Sequence, residues 1–375
     1  MSTNKLIELS RFGQSFWYDN ISRDFIDSGR LKSMIETDGL KGITSNPAIF
    51  YKSIKDGKGY DKLLKSLSSG SLTDKDIFYE IAINDIKDAA KILLPVYQAT
   101  NAKDGYVSIE VDPNFADNYQ ETIKEARMLF NKIGMDNVMI KVPATDQGLK
   151  AVKTLISEGI NINVTLLFSN EKYDQTIIAY IEGLEERLKE GKSIEKIASV
   201  ASFFISRIDS AFDKVLTEKS LDTTNADERQ WYFDTMGKVA ISNAKMAYQS
   251  MVSVFSSDRF LKLKQKGAMV QRLLWASTST KNPAYSNVLY VNELIGPNTI
   301  NTMPQETLDA FRDHGVVKRT IDLNIEDANN IIDSLCDGGL DYNSLTDKLL
   351  IDGLRLFVEA FNSLLALISE KRSSL

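Results

Sequence analysis

Apolar and polar positions alternate with period two in eight separate stretches of the chain, and helical stripes lie between most of them. The clearest stretch is Asn137-Val138-Met139-Ile140-Lys141-Val142-Pro143-Ala144-Thr145. It predicts a strand with Val138, Ile140 and Val142 on one face and Met139 and Lys141 on the other. Further strands are predicted at Phe16-Trp17-Tyr18-Asp19, 40–47 (stopped by Pro47), 105–112, 160–168, 198–206, 268–277 and 299–303. Helical spacing predicts helices over 4–12, 22–37, 74–94, 117–133 and 147–158, with Gly159 just past the end of the last. Two helices are expected in 170–197, and a helix with a loop in 48–73. Residues 282–298 read as irregular. The tail is helical, and its longest stripe, 346–371, runs through Leu350, Leu354, Phe357, Phe361, Leu365 and Ile368 with Thr346 as N-cap.

Strands alternating with helices imply a parallel sheet, and eight of them imply a (β/α)8 TIM barrel of class α/β. A doubly wound sheet is the weaker reading, because no glycine-rich phosphate loop follows the first strand. No linker or repeat divides the chain, so residues 1–375 are expected to form one barrel domain. Residues 208–266 exceed what one crossover helix needs. Trp231, Tyr232, Phe233, Met246 and Phe255 make them a helical insertion rather than a linker. The helices of 305–375 are expected to pack on the barrel.

Strands buried on both faces of a parallel sheet should be nearly all apolar. Here one face is aliphatic. The other carries Asp19, Thr44 and Asn46, Glu110, Lys141, Asn163 and Thr165, Ser202, and Ser277, a polar residue near the C-terminal end of seven strands. Barrel active sites lie at that end. For Lys141 alone, an edge residue reaching solvent is the simplest reading; seven in-phase polar positions favour an active site instead. A desolvated lysine is partly neutral, and a neutral amine attacks carbonyls. Two carboxylates can divide the proton transfers. Hydroxyls and amides can hold a polyol. Arg207, beyond strand six, and Ser277 with Lys281, beyond strand seven, suit a phosphate, and surface charge is the competing reading of the two cations.

Composition narrows the chemistry further. The 375 residues hold one histidine, His314, and one cysteine, Cys336. Metal sites built on His and Cys clusters, disulfide frameworks and Ser-His-Asp mechanisms are therefore disfavoured. His314 lies in Arg312-Asp313-His314-Gly315, a polar helix end, and reads as a surface residue. The net charge of -6, with no basic cluster, argues against a nucleic-acid partner. No signal peptide or membrane-spanning run is recognised, so a cytoplasmic location is expected.

Five motifs resemble one family in its own order: Gly-Ile-Thr-Ser-Asn-Pro (42–47), Val-Ser-Ile-Glu-Val-Asp (107–112), Ile-Lys-Val-Pro-Ala-Thr (140–145), Asn-Val-Thr-Leu-Leu-Phe-Ser (163–169) and Ser-Phe-Phe-Ile-Ser-Arg-Ile (202–208). They look like transaldolase, and Trp-Ala-Ser-Thr-Ser-Thr-Lys-Asn-Pro (275–283) resembles its longer bacterial branch. The resemblance covers roughly residues 12–310. It implies Lys141 as the Schiff-base lysine and Asp19 as the acceptor of the ketose C4 hydroxyl proton. Glu110, with Thr165 and a water, would serve carbinolamine formation and breakdown. Thr44, Asn46, Asn163, Ser202 and Phe204 would surround the dihydroxyacetone unit, and Arg207, Ser277 and Lys281 the phosphate. The family's short forms carry an arginine two residues after the serine, where this chain has Ser279, so Lys281 would replace it. The short forms also have Asp-Thr-Gly where this chain has Asp19-Asn20, which puts a different loop after strand one. The implied reaction moves a dihydroxyacetone unit from sedoheptulose 7-phosphate to glyceraldehyde 3-phosphate in the pentose phosphate pathway, without cofactor or metal. Two alternatives stay open. One is a lyase that releases free dihydroxyacetone, although the related fructose 6-phosphate aldolases typically carry Gln and Tyr in place of Glu110 and Phe204. The other is an inactive phosphosugar-binding barrel with 208–266 as a docking surface. A monomer and a homodimer are equally compatible. Metal-free lysine chemistry predicts that turnover is unchanged by EDTA, measured as product formed before and after chelation; complete loss would point to a metal-dependent aldolase.

Overall fold

The computed structural model describes residues 4–68 and 70–374. Eight strands close into a barrel in chain order: β1 Gln14–Asp19, β2 Gly42–Thr44, β3 Tyr106–Glu110, β4 Val138–Pro143, β5 Ile162–Leu167, β6 Ser199–Phe204, β7 Arg272–Ala276 and β8 Thr299–Met303. Every ladder is parallel, including the closing pair of β8 with β1. This is the (β/α)8 barrel, and closure excludes the doubly wound alternative. The outward faces (Val107 and Ile109; Val138, Ile140 and Val142; Val164) are buried under helices, as the aliphatic half of the alternation requires.

The N-terminal end of the barrel interior is sealed. The Arg272 guanidinium donates to Asp104 at 2.8 Å, to Ser15 Oγ at 2.9 Å and to the Lys103 carbonyl at 2.6 Å. The Trp17 indole donates to the same Asp104 carboxylate at 3.1 Å. Gly42 lies flush on that indole, and a Cβ there would stand 2.5 Å from it. Access is therefore confined to the C-terminal end.

Several helices depart from the pattern-based expectation. Residues 22–37 are split into Arg23–Asp27 and Arg30–Asp38 by Gly29 at φ 76°, where a left-handed residue breaks the helix. The helix from Asp74 runs through Pro95 to Ala99; so close to the C-terminal end, a proline removes one hydrogen bond without ending the helix. Residues 170–197 hold one helix, Asn170–Lys189, ended near Gly191 at φ 72°. The irregular 282–298 stretch contains a short helix, Leu289–Glu293. The region 208–266 is occupied by helices Ser206–Asp222, Ala226–Thr235, Val239–Phe255 and Asp258–Lys264. Among the described residues, no helix is long and apolar enough to cross a membrane.

The last helix is Tyr342–Ser373, longer than its stripe suggested. Its N-cap is Asp341, whose carboxylate accepts from Ser344 N at 3.0 Å. Thr346, the expected cap, lies inside the helix and bonds back to the Tyr342 and Asn343 carbonyls. This helix crosses the C-terminal end of the barrel. Phe361 meets the Phe78 ring edge-on at 5.6 Å, and Gly353 passes close over Leu166, Phe168 and Arg207. A Cβ on Gly353 would lie 3.0 Å from Leu166. Gly353→Val should therefore lift the helix and destabilise the protein by about 1–3 kcal/mol in urea unfolding; an unchanged midpoint would show that the helix has slack there.

Candidate active site

Parallel register places the reacting groups. Glu110 is paired with Lys141 across β3 and β4, and Lys141 with Asn163 across β4 and β5, so all three side chains point inward. The Lys141 amine lies 2.8 Å from Glu110 Oε1 and donates to the Ser45 carbonyl at 2.9 Å. Both side chains are only 7% exposed. The Phe357 ring centroid is 5.9 Å from the amine.

On the neighbouring strands, Asp19 and Thr44 are register partners of β1 and β2. The Thr44 hydroxyl donates to Asp19 Oδ1 at 2.6 Å, and its oxygen is 2.6 Å from the Thr302 hydroxyl. A hydroxyl has one proton, so Thr302 must donate to Thr44. Thr302 thus supplies the inner-face polar group of the eighth strand.

Asn163 is fully buried. Its amide donates to Ser108 Oγ at 3.2 Å and accepts from Ser202 Oγ at 2.7 Å. It supports the layer beneath the cavity without lining it. Above it, Asp19, Thr44, Asn46, Lys141, Thr165, Ser202, Phe204, Arg207, Ser277, Lys281 and Thr302 line a cavity of about 250 Å³. Asn46 does so from a position the alternation misplaced: β2 ends at Thr44, and Asn46 caps the Pro47–Asp56 helix through Ile49 N at 2.9 Å. Ser277 likewise falls just past β7, at φ 56°. A register break between Val164 and Leu167 turns the chain after Thr165, with Leu166 at φ 61°.

The far end of the cavity is cationic. Arg207 lies over the Phe204 ring at 5.2 Å and makes no ion pair among the described residues, although Glu306 lines the same cavity. Burial pushes its proton affinity down, yet a guanidinium stays charged. Lys281 Nζ donates to Ser279 Oγ at 2.9 Å, and Ser277 Oγ is 2.9 Å from Ser206 Oγ. An oxyanion is the partner these donors fit. His314 is far from this arrangement in role: it is exposed and its Nε2 meets Asn287 at 2.7 Å.

Burial raises the Asp19 carboxyl above the usual carboxylate range, against the opposing effects of the Thr44 hydrogen bond and the Lys141 charge. Burial also raises Glu110, opposed by Lys141 and reinforced by the Asp19 charge. Glu110 Oε2 and Thr165 Oγ1 are buried without a hydrogen-bond partner among the described residues. Water is the ordinary partner of such buried polar atoms.

The pattern missed Thr302, Phe357 and Ser279. In Thr299-Ile300-Asn301-Thr302-Met303 polar residues occupy both parities, so alternation cannot separate inside from outside. Phe357 belongs to an amphipathic stripe that reads as core.

A closed barrel with a lysine and two carboxylates at its C-terminal end defines an aldolase-type (β/α)8 protein. Residues 16–368 match the family described as Transaldolase/Fructose-6-phosphate aldolase, and the chain belongs to that family. It is 49% identical over 373 residues to a protein named Transaldolase from Trichodesmium erythraeum, covering 99% of this chain and 98% of that one. It is also 49% identical over 370 residues to Transaldolase 2 of a Nostoc species, covering 97% of each. A Neisseria meningitidis protein named Transaldolase is 42% identical over 361 residues, covering 96% of this chain and 98% of that one.

The raised Asp19 carboxyl carries a stability consequence. A carboxyl whose folded value lies above its ordinary one favours folding at low pH, and that advantage is lost as pH rises through the folded value. Asp19→Asn keeps an acceptor for Thr44 and removes the buried charge. It should abolish turnover yet raise the melting temperature at pH 7 by about 2 °C, with the gain narrowing as pH falls. A lower melting temperature at pH 7 would show that the charge stabilises the fold.

Proposed function

We propose that the protein is a transaldolase working through a Schiff base on Lys141. The observation that carries this reading is the in-register, buried contact of Lys141 with Glu110, with Lys141 and Asp19 lining one cavity. Glu110 is placed to take the ammonium proton, freeing the amine to attack the carbonyl carbon of a ketose phosphate. The carbinolamine then loses water, with Glu110 and a Thr165-bound water moving the protons. Asp19 takes the proton from the C4 hydroxyl while the C3–C4 bond breaks. Its electron pair passes into the protonated imine, which becomes an enamine, and the aldose phosphate leaves. The steps reverse on an acceptor: the enamine carbon attacks the aldehyde, the new alkoxide takes its proton from Asp19, and water releases the new ketose.

Asn46, Ser202 and Thr44 suit the hydroxyls of the three-carbon unit, with Asn163 holding Ser202 from below and Phe204 forming an apolar wall. Arg207, Ser277 and Lys281 suit the phosphate. The substrates we assign are sedoheptulose 7-phosphate and glyceraldehyde 3-phosphate, giving erythrose 4-phosphate and fructose 6-phosphate. The setting we assign is cytoplasmic, with the enzyme acting as a monomer or homodimer. Glu110 and Phe204 favour transfer over release of free dihydroxyacetone, because Phe204 offers the enamine no hydroxyl proton where the related aldolases carry Tyr.

Borohydride reduction in the presence of fructose 6-phosphate should trap a three-carbon adduct on Lys141, read by peptide mass spectrometry. Lys141→Arg should keep the fold by circular dichroism and give neither adduct nor turnover. An adduct on another lysine would overturn the mechanism.

A further inference from the structure

The helical insertion and the loop after β7 meet at two carboxylates with the same bonding pattern. Asp209 and Asp213 lie four residues apart on the Ser206–Asp222 helix, two and six residues beyond Arg207, and so share a face. Asp209 accepts from Ala240 N at 2.7 Å and from the Tyr290 hydroxyl at 2.8 Å. Asp213 accepts from Gly237 N at 2.9 Å and from the Tyr285 hydroxyl at 2.8 Å. Each carboxylate therefore ties one backbone N–H of the insertion to one tyrosine of the loop.

The contact is tight. Gly237 sits at φ 72°, and a Cβ there would lie 2.7 Å from the Tyr285 ring. Asp209 and Tyr290 are each 1% exposed. Burial, reinforced by the Asp213 charge, pushes the Asp209 carboxyl up to about 7. The Val239–Phe255 helix has no side-chain cap of its own, and Asp209 supplies an acceptor to its second residue from outside. The loop is closed on itself by Thr280 Oγ1 donating to the Ser286 carbonyl at 2.9 Å, across the segment that holds Lys281 and Tyr285. A shift of Tyr285 is thus carried to Lys281 and Ser279.

We propose that the insertion is the anchor of the anion-binding end of the cavity: Asp209 and Asp213 clamp the loop after β7 through Tyr290 and Tyr285, and so position Ser279 and Lys281 opposite Arg207. Tyr285, Tyr290 and the two aspartates are positioning residues, since none lines the cavity. The inference rests on the proposed transaldolase reading, in which that end holds a phosphate. The acceptor is thereby selected for its phosphate by a surface the barrel alone does not supply.

The test compares glyceraldehyde 3-phosphate with glyceraldehyde as acceptor. Tyr285→Phe, which removes one hydroxyl, and Asp213→Asn, which removes one charge, should each raise KM for the phosphorylated acceptor about five- to tenfold, a part of what one hydrogen bond to a charged group is worth, because the loop is loosened and not removed. The kcat and the KM for glyceraldehyde should stay within twofold or so of the parent. Inhibition by inorganic phosphate should weaken by the same factor. Equal losses with both acceptors, or no change with either, would overturn the clamp. Arg207→Ala separates the two readings. If it discriminates between the acceptors while Tyr285→Phe does not, the clamp alone fails. If Arg207→Ala affects both acceptors alike, the phosphate assignment fails and the inference falls with it.

Discussion

The structure depends on an ammonium and a carboxylate held together out of water. Lys141 and Glu110 are in contact at 2.8 Å with both side chains nearly buried. Desolvating each ion costs several kcal/mol, and the attraction offsets this only when the geometry is held. A parallel ladder holds it: because the two residues are register partners, the strand pairing that closes the barrel also sets the distance between the charges. The fold and the reactive pair are one set of hydrogen bonds.

A second buried pair, Arg272 with Asp104, lies at the other end of the same barrel and shows what makes the upper one different. In the lower pair the polar atoms are well supplied: Ser15, Trp17 and the Lys103 carbonyl complete the arrangement. That pair is a plug. In the upper pair Glu110 keeps an oxygen without a hydrogen-bond partner among the described residues, and so does Thr165 of β5. Unsatisfied buried acceptors are costly unless something transient fills them. Two of the non-glycine residues with positive φ are found here: Ser277 lines the cavity, and Leu166 follows Thr165, which lines it. A fully supplied pair below and an under-supplied pair above separate the structural role from the chemical one.

Much of this was legible in the residues. Period two distinguishes inside from outside wherever one face is polar, so Lys141, Glu110, Asp19, Thr44 and Thr165 could be assigned to the cavity side without coordinates. The eight strands and their closure follow from the same alternation. Asn46 was found for a partly wrong reason: it sits at a helix N-cap, where Asn is favoured for its own backbone bonding, and not on a strand. Thr302 escaped because its strand carries polar residues of both parities. Asn163 lies on the inner face, as alternation requires, but it is fully buried and accepts from Ser202, because alternation gives the face and not the depth. Helix limits failed where a single residue decides them, at Gly29, Pro95 and Asp341.

The last helix shows why some of the site lies beyond any local pattern. Leu350, Leu354, Phe357, Phe361, Leu365 and Ile368 form one uninterrupted apolar stripe, and periodicity treats them alike. The fold does not. Phe361 and Ile368 are buried in the core, whereas Phe357 is half-buried over the amine of Lys141, more than 200 residues away in sequence. The same side-chain chemistry thus packs the core at one turn and walls the cavity at another. What separates the two roles is Gly353, the one position on that turn without a side chain, which lets the helix come close enough to the barrel for Phe357 to reach the amine. A glycine in the middle of a long helix is unfavourable by about 1 kcal/mol relative to alanine, and here the close approach it permits is the physical return.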